Sequence, residues 1–343
     1  MEIGIRESIG ILSLLVSFLT VYLISPRIIG YFRAVGIVDA DLHKKSKPKV
    51  ATSAGMCVMA GIIAGLFFYI AMKVFVLQSS IQIIELLAAV SSILIIVMVG
   101  FLDDLGRGLG NAGETARRGI SRLMKPILTI PAAVPLMAVS AGTTAMSLPL
   151  IGAIDIGLLY PLVVIPIGLV GAANMVNMLG GYNGLETGMG VIYTTSLGLY
   201  AFYVGETPAA AILLTCSASL VAMIKYVKIP ARILAGDSLT YVLGAVVACG
   251  AIIGNIERAA LIVMFPFIIQ GCLKFWSKLR EGHYASDLGL FQEDGRIKRR
   301  YENIYSLTHI AIGQGATEFE VVARLMLLQL AFASLPWLLL VVG

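Results

Sequence analysis

The chain has 343 residues, 58% of them hydrophobic and only 13% charged, with a mean hydropathy of +0.92. Soluble domains are about 45–50% apolar and about 25% charged, so an ordinary soluble globular protein is excluded, as are a disordered chain and a disulfide scaffold. The apolar stock is enough for about ten bilayer-spanning helices of about 20 residues each. The net charge of +5 reads as membrane topology rather than as a nucleic-acid footprint, so no nucleic-acid partner is expected.

The first ten residues, MEIGIRESIG, mix Glu2, Arg6 and Glu7 and lack a basic leader and a small-residue cleavage site. The first apolar run is therefore expected to be a retained span rather than a signal peptide. In chain order the apolar runs predict helices over 8–29, 54–77, 82–102, 123–141, 156–176, 189–204, 208–226, 237–255, 259–276 and 321–342. The fold class is thus all-α: one polytopic membrane domain over 1–343 with about ten transmembrane helices. Its only long polar connection, 277–320, is too short to be a domain of its own. Of the 25 Lys and Arg residues, 22 fall on odd-numbered connections or their flanks; Arg6, Lys73 and Arg258 are the exceptions. That bias predicts odd connections in the cytoplasm, both termini outside and any chemistry on the cytoplasmic face. Cys57, Cys216, Cys249 and Cys272 stand singly in apolar sequence, without metal or disulfide spacing. No fixed-period repeat is visible, and the halves do not read as inverted copies, which weighs against a secondary transporter.

Polar residues cluster at the cytoplasmic ends of the runs. DLHKKSKPKVATSAG (41–55) is a basic connection that embraces an anion or simply obeys topology. GFLDDLGRG places Asp103 and Asp104 at the end of the third run. Carboxylates at that depth must be paired, solvated or metal-bound. Their alternatives are solvated helix-end groups or a metal-phosphate or proton-transfer site. Lys125, beside Pro126, starts the fourth run. In AANMVNMLGGYNGLETG, Asn174 and Asn177 share a helical face, Gly180 and Gly181 break the helix, and Asn183-Gly184 favours a turn. One such Asn would be interhelical glue; three with Glu186 suit phosphate, metal or a nucleobase edge. In PARILAGDSLTYVLGA, Asp237 is expected at or near a helix N-terminus, where the alternatives are a helix cap and a ligand for Mg²⁺. Together these residues fit Mg²⁺-dependent handling of a phosphorylated substrate with a partner in the bilayer, against the alternative of a transporter for an anionic solute.

Six blocks in order, DLHKKSK, FLDDLG, RLMKPILTIPAAVPLM, NMVNMLGGYNGLETG, RILAGDSLTYVLGA and GRIKRRYENIYSL, resemble the polyprenyl-phosphate N-acetylhexosamine-1-phosphate transferases. The likeness is greatest to the branch that uses UDP-GlcNAc and dolichyl phosphate, and points to an archaeal member. The resemblance implies Mg²⁺ (or Mn²⁺) held by Asp237 and Asn177, with Asp103 and Asp104 as the paired aspartates near phosphates and metal. It implies Lys125 at the lipid phosphate, Asn174 in the lipid-phosphate segment, Asn183 toward the nucleotide sugar, and Ala40, Asp41 and Leu42 at the uridine; Glu186, from the same cluster as Asn183, is expected to bind substrate beside it. The implied partners are a UDP-N-acetylhexosamine, a polyprenyl or dolichyl phosphate, membrane lipids and a second copy in a homodimer. The pyrophosphate-binding Arg/His cluster of the family is replaced by KLREGHYASDLG, where Arg280 and His283 are the nearest substitutes. Thr52 stands where the dolichol branch has an acidic residue, and His43 and His309 are expected to be bystanders. Lys298, Arg299 and Arg300 are expected at anionic headgroups. The implied reaction yields GlcNAc-diphospho-polyprenol and UMP. Another UDP-N-acetylhexosamine, or a flippase for an anionic sugar conjugate, is the alternative.

Overall fold

A computed structural model describes residues 2–108, 119–121, 123–148 and 152–342; Arg117, Arg118 and Arg122 of the third connection lie outside them. The protein is mostly helical. The helices are α1 (Glu2–Val35), α2 (Ala54–Phe75), α3 (Ile83–Gly108), α4 (Met124–Thr129), α5 (Val134–Ala138), α6 (Ile165–Val176) and α7 (Leu185–Tyr203). They continue with α8 (Thr207–Val227), α9 (Gly236–Ile253), α10 (Glu257–Val263), α11 (Phe265–Glu281), α12 (Leu307–Ile312) and α13 (Glu318–Val342). Among the described residues three two-stranded antiparallel sheets sit in the connections: β1 (Val38–Ala40) with β2 (Lys49–Ala51), β3 (Ala145–Leu148) with β4 (Gly152–Asp155), and β5 (Leu290–Phe291) with β6 (Ile297–Lys298).

Each of the ten expected runs lies on helix, but they are not ten equal rods. Among the described residues six helices (α1, α2, α3, α8, α9 and α13) are long and apolar enough to cross a membrane, or seven if α10 and α11 form one bent span. Prolines explain the broken runs. Pro131 and Pro135 divide 124–138 into α4, a 3₁₀ turn and α5, and Pro161 and Pro166 stand in the π turn and first turn of α6. Pro266 follows the 59° bend between α10 and α11. Gln329 of α13 donates to the Val263 carbonyl at 2.8 Å, satisfying backbone that the bend frees.

The centre of the bundle is α9, with 94% of its 18-residue apolar window buried against 28% for α1. It packs on α2, α3, α6 and α8. Small residues permit the approach at its first turn: a Cβ on Gly100 of α3 would lie 2.7 Å from the Asp237 carbonyl oxygen, and one on Gly55 of α2 would collide with the Ser238 backbone. The start of α9 is therefore gripped by two neighbouring helices. The site is built there.

Candidate active site

Asp237 is the second residue of α9 and follows Gly236, whose φ of +68° is one that L side chains rarely adopt. A side chain there would also strike the Asp104 carboxylate. Consecutive helical residues project about 100° apart, and the two aspartates ending α3 accordingly face different partners. Buried Asp104 accepts the backbone N–H groups of Asp237 (2.7 Å) and Ser238 (3.1 Å) and the Ser53 hydroxyl (2.8 Å). It caps α9, where orphan N–H groups and the helix dipole both favour an anion.

Asp103 instead accepts the Ile120 N–H and pairs with Lys125 at 3.1 Å and with Arg107 one turn along its own helix. Asp237 pairs with the same two cations, Lys125 and Arg107, the latter at 3.1 Å. Asn177 donates its amide to Asp237 at 3.0 Å, and Thr240 fixes that amide by donating to its oxygen at 2.8 Å. Carboxylate oxygens of Asp103, Asp104 and Asp237 lie within 4.8 Å of one another. Three buried carboxylates against two cations leave an excess of negative charge, and like charges this close are unfavourable without a further cation. The donors are oxygens, the hard ligands that Mg²⁺ and Mn²⁺ take, so the residues present fit a divalent ion. Asp237 offers the better donor, because its partners are side chains that can move aside, whereas Asp104 is committed to two backbone N–H groups of α9.

A cavity of about 270 Å³ opens beside this cluster, with Asp104, Arg107, Asn177 and Asp237 on its lining. The β1–β2 side contributes Ala40, Asp41 and Leu42, and the α6–α7 connection contributes Asn183 and Glu186. Residues 200 positions apart in sequence thus converge on one concavity. Asn183 donates its side-chain amide to Asp41 at 2.7 Å, and Glu186 accepts the Gly181 N–H at 2.7 Å, holding the glycine turn. Lys125 touches the cluster without lining the cavity. Asn174 is turned elsewhere, donating to Val170 of its own helix at 2.8 Å and lying 3.4 Å from Thr129 and Tyr241.

Arg280 and His283 are exposed and stand apart from this lining; the His283 ring instead meets the Glu281 carbonyl at 3.0 Å. Asp287 and Leu288, a few residues on, reach the cavity wall. Sequence reasoning did not single out Arg107, Ser53, Thr240 or Asp287. Only Arg107 had a local signal, its i,i+4 spacing from Asp103. His43 is not loose in its basic loop: it is buried and stacked on Tyr182 with ring centroids 4.4 Å apart. Burial holds its imidazole down at a pKa of about 4.

The family model for glycosyl transferase family 4 matches residues 86–255, the stretch that contains Asp103, Asp104, Lys125, Asn177, Asn183 and Asp237. A Saccharolobus solfataricus protein provisionally named a UDP-N-acetylglucosamine–dolichyl-phosphate N-acetylglucosaminephosphotransferase is 31% identical over 326 residues, covering 94% of each chain. The Dictyostelium discoideum protein of that name is 25% identical, over 74% of this chain and 68% of its own. A phospho-N-acetylmuramoyl-pentapeptide-transferase of Clostridium perfringens is 25% identical, over 76% of this chain and 79% of its own. On the near full-length match and the coincidence of the family region with the buried cluster, the chain belongs to glycosyl transferase family 4.

Proposed function

We propose that the protein transfers GlcNAc-1-phosphate from UDP-GlcNAc to a polyprenyl (dolichyl) phosphate, giving GlcNAc-diphospho-polyprenol and UMP. The observation that carries this reading is the convergence of Asp103, Asp237, Lys125, Arg107 and Asn177 at the start of α9, beside a cavity among apolar helices. The names of the archaeal and Dictyostelium relatives supply the substrate class.

In the reaction an oxygen of the lipid phosphate bonds to the sugar-bearing phosphorus of UDP-GlcNAc, and the bridging P–O bond breaks to release UMP. Phosphoryl transfer rests on positioning and electrostatics. Arg107, the cation on the lining, meets the diphosphate; Lys125, held between Asp103 and Asp237, exchanges a carboxylate for the lipid phosphate. A lipid phosphate monoester is already largely ionised at neutral pH, so Asp103 serves chiefly to hold both cations. Asp237 and Asn177 hold the Mg²⁺ or Mn²⁺, which when bound neutralises pyrophosphate charge. Ala40, Asp41, Leu42, Asn183 and Glu186 form the nucleotide-sugar side. Ten membrane passes, both termini outside and a cytoplasmic cavity complete the reading, supported by the basic bias of the odd connections.

Purified protein given UDP-GlcNAc, dolichyl phosphate and Mg²⁺ should release UMP only when lipid and metal are both present, and Asp237→Asn should abolish release while remaining folded. Failure of UMP release with UDP-GlcNAc, but release with another UDP-N-acetylhexosamine, would keep the reaction and change the sugar. Substantial turnover by Asp237→Asn would remove Asp237 from the metal site.

A further inference from the structure

Two of the connections that wall the cavity, the β1–β2 segment and the α6–α7 connection, are joined to each other through side chains. Glu318, the first residue of α13, is buried but does not line the cavity. One of its carboxylate oxygens accepts the Asn183 backbone N–H at 2.8 Å, and the other pairs with Lys44. Lys44 stands 3.5 Å from Asp41, and Asp41 accepts the Asn183 side-chain amide at 2.7 Å. Glu318, Asn183, Asp41 and Lys44 therefore close a ring that joins three distant parts of the chain. Two of its members, Asp41 and Asn183, are cavity wall.

The start of α13 does not need Glu318 as a cap. Thr317 and Glu320 already form a reciprocal pair there: the Thr317 N–H donates to Glu320 at 2.8 Å and the Glu320 N–H to the Thr317 hydroxyl at 3.3 Å. The Glu318 carboxylate is thereby free to be spent on the loops. Charge-assisted bonds in a buried setting are strong and directional, and a binding wall held before the ligand arrives saves the ordering that binding would otherwise require.

We infer that Glu318 is a positioning residue, which holds Asn183 and the 41–44 segment in register so that the nucleotide-sugar wall is set in advance. The inference rests on the transferase reading for its substrate, but the bracing itself can be measured without one. With full-length protein in detergent, Glu318→Ala, which removes both the Asn183 bond and the Lys44 pair, should raise the UDP-GlcNAc KM at least about tenfold, with the lipid-phosphate KM unchanged. Glu318→Gln keeps an acceptor for the Asn183 N–H but loses the ion pair with Lys44, and should fall between wild type and Ala. Glu320→Gln disturbs the helix start alone and should leave the UDP-GlcNAc KM as it is. Hydrogen exchange, measured without substrate, should quicken in 38–52 and 177–186 in the Glu318 variants only.

Unchanged exchange in these segments, or an equal rise in both KM values, would overturn the inference, as would a Glu320→Gln variant that mimics Glu318→Ala. If wild type turns over neither UDP-GlcNAc nor another UDP-N-acetylhexosamine, the transferase reading fails and exchange alone decides the brace. If Glu318→Ala does not fold, Glu318→Gln carries the same comparison.

Discussion

Asp104 and Asp237 carry the same side chain and meet at one helix end, yet their surroundings assign them different work. Asp104 is surrounded by donors of neutral groups, two backbone N–H groups and a hydroxyl; Asp237 is surrounded by Lys125, Arg107 and an amide. Asp104→Asn would turn an NH₂ toward N–H donors and should cost about 1–3 kcal/mol of stability. Asp237→Asn leaves both cations paired with Asp103 and should cost less. Thermal unfolding of the two variants in detergent should show the larger fall in Tm for Asp104→Asn. His43 gives a pH signature at the same scale. It is neutral and buried in the fold, with a pKa of about 4 against an ordinary 6.5, so the unfolded chain takes up its proton first as pH falls. Its contribution leaves stability level above pH 6.5 and lowers it progressively between about 6.5 and 4. Burial lowers the His309 pKa as well, so His43→Gln should make this fall in Tm shallower without abolishing it.

Helix α3 supplies Asp103, Asp104 and Arg107, and α9 supplies Asp237 and Thr240, so the spacing of these two helices sets the site. Gly100 lies at their contact. Gly100→Ala would place its Cβ 2.7 Å from the Asp237 carbonyl, and overpacking of this kind typically costs about 1–3 kcal/mol. The expected outcome is a lower Tm together with a loss of kcat, because the displaced α3 carries the cations' carboxylate partner with it. A lower Tm with full kcat would show that the site tolerates the shift. The bend between α10 and α11 illustrates the same rule in reverse. Where Pro266 breaks the rod, a long-range donor, Gln329, takes up the freed carbonyl, so a broken helix persists inside an apolar bundle.

At the scale of the molecule, the expected orientation places the β5–β6 connection in the cytoplasm and the 255–258 connection outside. Cys272 is exposed while Cys57, Cys216 and Cys249 are buried, so Cys272→Ser provides a quiet background for labelling. In right-side-out vesicles, an impermeant maleimide should label Asn255→Cys and spare Lys298→Cys until the membrane is opened. The opposite pattern would invert the topology and put the cavity on the outer face.

Composition and periodicity by themselves determined a helical membrane protein, the ten apolar runs and the polar residues at their ends, because burial in lipid demands long apolar helices and penalises every unpaired charge. Asp237 was legible as a helix start from Gly-Asp before an apolar run, and the pairing of Asp103 with Arg107 from one helical turn of spacing. Asn174 and Asn177 share a face, yet only Asn177 reaches Asp237 while Asn174 is used within and between helices; local pattern carries no information on which neighbour a face meets. Only the tertiary structure showed that Asp104 caps α9, that Glu318 accepts the Asn183 N–H across 135 residues, and that Arg280 and His283 stand away from the cavity. Those outcomes depend on which helix ends are packed together, and packing is a property of the assembled bundle, not of any one segment of the chain.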